Sequence, residues 1–237
     1  MPYPFAHPAA ILPLARPLGR FAAPSALAIG SIVPDFWYFV PLVTRFDSHS
    51  PAALLWFCLP LGLILYALFH LLLKEPLIAL LSPRLASFTS PGLPAAPWHA
   101  VIVSLVTGAA THIVWDALTH SNEYAFHGHN WLQHASTALG TAVLAWWIWR
   151  KLRRAPVTRS SVVFSPFARV WIAMALIAAM AIGAWTSLDL AQLAASDLDA
   201  TRRSLRSAGM AGVEAFCLAV LVFCIFWRVR ARRVTSR

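Results

Sequence analysis

The chain has 237 residues, of which 59% are hydrophobic and 12% are charged, and its formal net charge is +10. Apolar residues arranged in long runs exclude an ordinary soluble domain and predict an all-α, polytopic membrane bundle. The basic residues lie at the ends of these runs, in the positive-inside pattern of membrane proteins. We therefore expect a lipid bilayer as the partner of this chain, and no nucleic acid.

The first part of the chain is a Pro-rich segment followed by an interrupted apolar run. We expect a short surface or re-entrant helix around Ala9–Leu18, preceded by His7. The first predicted span, Ala23–Val43, contains Pro34-Asp35, so its helix should be kinked or broken there. A carboxylate within a membrane is costly, which makes Asp35 a candidate functional residue. Alternatively, Asp35 caps a helix that restarts after the break.

The next two spans are separated by a long connection. A short polar stretch, Thr44–Ser50, contains His49 and precedes the second span, Ala52–Leu73. This span should stop at the charged residues that follow it. Prolines are frequent in the connection, residues 74–97, which we expect at the membrane interface. The third span is Trp98–Leu118.

A chemically distinctive stretch ends the third span. His112, Asp116 and His120 are spaced by four residues, so they lie one helical turn apart on one face. An imidazole and a carboxylate on one face can share a metal ion, or one can orient the other. The alternative is a buried His–Asp hydrogen bond that joins two helices. The shared helical face is the reason for including His120 among the candidate ligands.

Three further spans complete a predicted bundle of about six transmembrane helices. They are Trp131–Trp149, Val170–Leu188 and Met210–Trp227, each close to the roughly 20 residues that a bilayer core requires. Basic clusters follow the fourth and sixth spans, which places the basic tail in the cytoplasm. We therefore expect a multi-pass protein of a bacterial-type inner membrane. Residues 1–150 should form a core domain with the metal site, and residues 151–237 a basic linker, two spans and the tail.

The candidate ligands indicate the kind of metal. His and Asp ligands on separate segments, without Cys, favour a divalent ion, with zinc fitting best and manganese or iron as alternatives. A catalytic zinc site keeps an open position in which a bound water becomes acidic. Asp35 and Asp116 are the catalytic candidates, because each could ligate or one could act as a general base.

Several short motifs, in this order, resemble the family called domain of unknown function 4184 (DUF4184). They are Met1–Pro8, Gly30–Phe36, Ser48–Ser50, Leu59–Gly62, Phe69-His70, Thr111–His120 and the stretch from Trp131 to Gly140. This resemblance covers about residues 1–150, and the last two spans look like a variable extension. It implies a shared membrane fold and carries no established activity.

A more distant similarity is informative about chemistry. An N-terminal His, a Pro-Asp, a His-Ser and a His-x-x-x-Asp are similar to the pattern of membrane-bound metal-dependent hydrolases. Those in turn look related to the zinc-dependent phospholipase C fold, an all-α bundle with His and Asp ligands. The resemblance implies His7, Asp35, His49, His112 and Asp116 as metal-site residues.

These observations favour a membrane-embedded, metal-dependent hydrolase acting on a phosphoester or lipid-like substrate that arrives from the bilayer. One alternative is a bundle that binds haem or a metal through axial histidines, for which His70, His112 and His134 are the candidates. Another is a scaffold or small transporter, in which His–Asp pairs hold helices together or relay protons. Convergence of the His and Asp side chains on one point would favour a metal site over these alternatives.

Overall fold

The computed structural model describes residues 6–39, 48–81, 96–120, 131–154, 164–190, 193 and 197–235. Regular structure in these ranges is helical and includes no strand, which confirms the predicted all-α class. The chain forms two compact units, Met1–Leu71 with Ser90–Pro156, and Leu72–Thr89 with Val157–Arg237. The predicted functional division near residue 150 stays a prediction.

Short elements alternate with long helices along the chain. In order they are α1 (Pro8–Ile11), α2 (Ala15–Leu18), a 3-10 turn (Gly19–Phe21), α3 (Pro24–Gly30), a second 3-10 helix (Val33–Phe39), a π-helical turn (Leu54–Cys58), α4 (Leu59–Leu68), a second π-helical turn (Phe69–Leu73), α5 (Lys74–Leu80), α6 (Trp98–His120), α7 (Trp131–Arg154), α8 (Pro166–Thr186) and α9 (Leu198–Thr235).

The first predicted span is interrupted, as its Pro-Asp pair indicates. Helix α3 already ends at Gly30, and the chain resumes as a 3-10 helix at Val33. The Ser31 hydroxyl donates to the carbonyl oxygen of Ala28 at 2.8 Å, which satisfies one of the acceptors left at the end of α3. The break places Asp35 in the first turn of the 3-10 helix.

The second predicted span continues further than expected. Helical structure runs without interruption from Leu54 through Lys74-Glu75 to Leu80. Lysine and glutamate are good helix formers, so the two charged residues do not end the helix, and Pro76 is accommodated within α5 directly after the π-helical turn. In the second unit, Glu75 also pairs with Arg228, with 2.7 Å between Oε2 and Nη1. Residues 82–95 of the predicted interfacial connection lie outside the described ranges.

Four helices in the described part of the chain are long and apolar enough to cross a membrane, so the predicted count of six is not confirmed. These are Leu54–Leu80, Trp98–Thr119, Pro166–Thr186 and Leu198–Ala231. The fourth predicted span lies within α7 and is not among them. Its first turns contain Gln133, His134 and Ser136, and its last turn is basic, which lowers the hydropathy of this helix.

The core of the first unit lies where α6 faces α3 and the π-helical turn before α4. Small and branched side chains fill these contacts in two clusters: Ala23, Ala26, Val101 and Leu105 in one, and Val33, Cys58 and Ala109 in the other. Helix α1 packs against α3, α6 and α7. Helix α1, which directly follows His7, therefore lies within the bundle of the first unit.

The second unit is built on the packing of α8 against α9. Gly183 lies against Ala211 and Ala215, and Gly212 lies against Met180, so small residues let the two helices approach closely. Helix α9 begins at Leu198 rather than at the predicted Met210. Its first turn includes a hydrogen bond of 2.9 Å from the Asp199 amide to Asp197 Oδ1, which stabilises this earlier start.

Candidate metal centre

Two glycines allow α3 and α6 to cross at backbone contact. A Cβ atom on Gly108 would overlap the carbonyl oxygen of Leu27, and a Cβ atom on Gly30 would overlap that of Leu105. The Ser104 hydroxyl, one turn before Gly108, accepts a hydrogen bond of 2.8 Å from the Ala23 amide. This crossing fixes the position of α6, along its axis, relative to the end of α3.

The close crossing brings the end of α3 to the side chain of His112. Nδ1 of His112 lies 2.7 Å from the carbonyl oxygen of Ser31, and the ring is fully buried. A carbonyl oxygen can only accept, so Nδ1 carries the proton of this hydrogen bond. In the neutral ring Nε2 then keeps a free lone pair, which is the tautomer that a metal ligand requires.

Asp35 and His49 approach His112 from two other segments. The broken first span turns the Asp35 side chain inward, and this residue is fully buried. Nδ1 of His49 lies 3.0 Å from the Ser48 hydroxyl, which leaves Nε2 directed at the same point as Nε2 of His112. The His49 side chain is 26% exposed, so the cluster meets the surface on this side.

Asp35, His49, His112 and Asp116 converge, and each offers one ligand atom within 4.8 Å of all the others. Nε2 of His49 lies 3.4 Å from Asp35 Oδ1, 3.2 Å from Asp116 Oδ2 and 3.3 Å from Nε2 of His112. Nε2 of His112 lies 3.7 Å from Asp35 Oδ2 and 3.5 Å from Asp116 Oδ2. A tetrahedral zinc ion with bonds of about 2.0–2.1 Å separates its ligand atoms by about 3.3 Å. The ligand atoms of His49, His112 and Asp116 have separations close to this value, and Asp35 lies within reach as a fourth ligand.

His7 lies beside the four-residue cluster. Its ring stacks on that of His112 with 3.8 Å between the centroids, and its Nε2 lies 3.6 Å from Asp116 Oδ1. The other carboxylate oxygen of Asp116, Oδ2, faces both His49 and His112. Asp116 therefore links His7 to the cluster.

The other predicted histidines are His120, a candidate metal ligand, and the candidates for haem ligation. The backbone of His120 belongs to α6, but its side chain lies outside the described part of the structure, so its predicted ligand role stays a prediction. Among the candidates for haem ligation, only His112 is in the cluster. His70 is buried and lies 2.9 Å from the Ser25 hydroxyl through Nε2, whereas His134 is exposed.

The carboxylates of the cluster change the pKa of His49, the histidine at its edge. Burial by itself would lower the pKa of His49, but the carboxylates of Asp116 and Asp35 outweigh this effect and raise the pKa to about 9. Without a metal, a proton on His49 compensates part of the carboxylate charge. Because ligands bind in their deprotonated form, a metal would displace this proton.

The metal-free protein should lose stability as the solution becomes alkaline. Because the pKa of His49 is about 9 when folded and 6.5 ordinarily, its protonation stabilises the fold fully below pH 6.5. This contribution is lost as the pH rises through 9. Thermal unfolding of the chelator-treated protein, measured at increasing pH, should show this fall in stability.

The same titration of His49→Gln serves as the control. This variant should show a shallower decline over the alkaline range, because the titrating ring next to Asp35 and Asp116 is gone. Equal slopes for the two proteins would contradict the assignment of the effect to His49.

Sequence reasoning missed the groups that support the ligands. The Ser31 carbonyl orients His112, and Gly30 and Gly108 permit that contact. A backbone carbonyl has no residue-type signature, and a glycine in an apolar run has many possible roles. Among these supporting groups, only Ser48 next to His49 could have been predicted, because the pair is part of one of the motifs that resemble the family.

Comparison with known proteins gives one match. The profile of the family described as "Domain of unknown function (DUF4184)" matches residues 1–225. It therefore extends well past the region of about residues 1–150 in which the motifs were found. No curated protein and no solved structure gives a significant match. The more distant similarity to metal-dependent hydrolases stays a prediction.

Proposed function

This chain belongs to the DUF4184 family, and we propose that it is an integral membrane metalloprotein that hydrolyses a phosphoester or lipid-like substrate. One observation carries the proposal: the ligand atoms of Asp35, His49, His112 and Asp116 converge, all within 4.8 Å of one another. The hydrogen bond from His112 to Ser31 supports it, because it orients the ring for ligation.

The donor set favours zinc, with manganese or iron as alternatives. Two imidazole nitrogens and two carboxylates, without a thiolate, are typical ligands of a borderline divalent ion. When bound, such an ion would acidify a water molecule and polarise a phosphoryl oxygen. Three protein ligands leave a position open for this chemistry, whereas four close the tetrahedron.

Asp35 and Asp116 differ in their suitability for transferring a proton. Asp116 directs Oδ2 to the two histidines of the cluster and Oδ1 to Nε2 of His7. It can thus take a proton on one oxygen while His7 orients the carboxylate. Asp35 lies beside His49 and His112 and is fully buried, which suits a ligand. We therefore propose Asp35, His49 and His112 as ligands, with Asp116 as a fourth ligand or as the general base.

The location of the cluster favours a substrate from the bilayer. His112 and Asp116 lie near the end of the apolar helix Trp98–Thr119. In a helix that spans the bilayer, the ends meet the lipid headgroups. His49 opens the cluster to the surface there. We further propose that the basic tail lies in the cytoplasm, in the orientation that the positive-inside rule predicts.

The proposal is tested by comparing His49→Ala with His134→Ala. The purified, zinc-loaded wild type should contain about one equivalent of metal and hydrolyse bis(4-nitrophenyl) phosphate. Chelation should stop the reaction, and added zinc should restore it. His49→Ala should lose both metal and activity, whereas His134→Ala, which changes an exposed histidine outside the cluster, should keep both. Hydrolysis that is unaffected by chelation would contradict the proposal.

A second candidate function is a structural metal in a non-catalytic bundle. The closed arrangement of four ligand atoms favours it, because structural zinc sites are typically four-coordinate. In that case chelation should lower the thermal unfolding temperature of the wild type, with no hydrolysis at any metal content. The Asp116→Asn variant distinguishes the two: it should lose the metal if Asp116 is the fourth ligand of a structural site, and it should keep the metal but lose hydrolysis if Asp116 is the general base.

A further inference from the structure

A groove lies next to the candidate metal centre in the first unit. It lies between α1, α6 and α7 and has a volume of about 150 Å³. Its walls are mostly apolar side chains, and His7 forms one part of them. The lining includes His7, Ala10, Trp115, Leu139, Gly140 and Val143.

His7 belongs to both the groove and the metal centre. It lines the groove, its ring is stacked 3.8 Å from that of His112, and its Nε2 lies 3.6 Å from Asp116. Trp115, which also lines the groove, directly precedes Asp116 on α6. Only the His7 side chain would therefore separate a molecule in this part of the groove from the cluster.

The groove opens next to exposed apolar side chains. Leu139 lines it and is 62% exposed, and Val114 and Leu118 on the neighbouring helix α6 are exposed apolar residues as well. Helix α6 is one of the candidate membrane spans. In a bilayer, exposed leucine and valine side chains of a spanning helix contact acyl chains, so a hydrocarbon chain would reach the groove without crossing water.

We propose that this groove holds an alkyl chain of a lipid substrate whose polar head lies at the metal centre. The inference rests on the proposed function and deepens it, because it selects a single-chain or acyl-chain amphiphile over a water-soluble phosphoester. A dry apolar cavity of about 150 Å³ accepts a small hydrocarbon such as benzene, so this groove can take several methylenes of a chain. His7 is then a positioning residue between the chain and the reacting head.

The test uses an alkyl phosphate as a probe of the groove. Zinc-loaded protein in detergent is irradiated with dodecyl phosphate that carries a diazirine in its chain, and the labelled residues are identified by mass spectrometry. We expect label on Trp115 and on α7 near Leu139 and Val143. Unlabelled dodecyl phosphate should compete, whereas inorganic phosphate, which lacks the chain, should not.

Two tryptophan variants of α7 provide the control. Val143→Trp should fill the groove and lower this labelling about tenfold, since each excluded methylene forfeits its transfer free energy. Ala142→Trp places the same side chain at a neighbouring exposed position outside the lining, and it should label like the wild type. Partition of the probe into detergent is the same for both variants, so their difference isolates the groove.

Metal analysis of the same samples separates the two proposals. Equal labelling of both variants, or label spread over exposed residues such as Trp171 and Met174, would overturn the groove proposal, and a full equivalent of zinc would then leave the metal centre standing. Labelling that is specific to the groove without any bound metal would overturn the hydrolase and with it the role of the groove in catalysis. Specific labelling together with bound zinc supports both.

Discussion

Replacing Asp116 by alanine is expected to release the metal. Asp116 Oδ2 is the atom that lies close to both histidine ligands, 3.2 Å from His49 and 3.5 Å from His112. Loss of a residue that merely orients a ligand typically weakens metal binding about 10–100-fold, so loss of a direct ligand should exceed that range. Elemental analysis and zinc titration of the purified protein measure the effect.

Asp199→Ala is the matched control for Asp116→Ala. Asp199 is an exposed aspartate in α9 with a surface ion pair to Arg202, and its removal should leave the metal content unchanged. Asp116→Asn keeps the shape of the side chain and separates its two proposed roles. Retained metal without hydrolysis indicates a general base, and loss of both indicates a ligand. A folded Asp116→Ala protein that binds zinc like the wild type would refute the ligand role, and one that also hydrolyses substrate like the wild type would refute the general base.

Gly108→Ala is expected to disrupt the metal centre although it removes no ligand. The added Cβ would overlap the Leu27 carbonyl oxygen and lie 2.9 Å from the Ser31 amide nitrogen. Backbone atoms cannot rotate away, so α3 and α6 must separate. The Ser31 carbonyl then loses its contact with His112, one turn along α6. We expect zinc affinity to fall at least about tenfold and the free energy of unfolding to fall by about 1–3 kcal/mol.

Gly209→Ala provides the comparison for this effect. Gly209 is also helical, but a Cβ atom there meets nothing within 4 Å. Alanine is the better helix former, so this variant should bind zinc normally and be as stable as the wild type or more so. Thermal unfolding and zinc titration of the two variants side by side measure the difference. Normal zinc affinity in Gly108→Ala would contradict the role of the helix crossing.

Local patterns in the sequence determined the class of the protein and part of its site. Long apolar runs require helices, because a backbone in lipid has to satisfy its own hydrogen bonds. Helical periodicity placed His112 and Asp116 on one face, and Pro34-Asp35 predicted the interruption of the first span. Each of these properties depends on residues within a few turns of one another. The motifs also identified the family, which the match over residues 1–225 confirms.

The tertiary structure alone decided which residues meet. Asp35, His49 and His112 come from three segments, and no sequence spacing predicts their separations of 3.3–3.7 Å. The Ser31 carbonyl and the crossing at Gly108 depend on backbone contact between helices distant in sequence. The ion pair of Glu75 with Arg228 likewise joins residues that are distant in sequence. Hydropathy records which residues avoid water, whereas a metal centre depends on where packing places a few polar atoms.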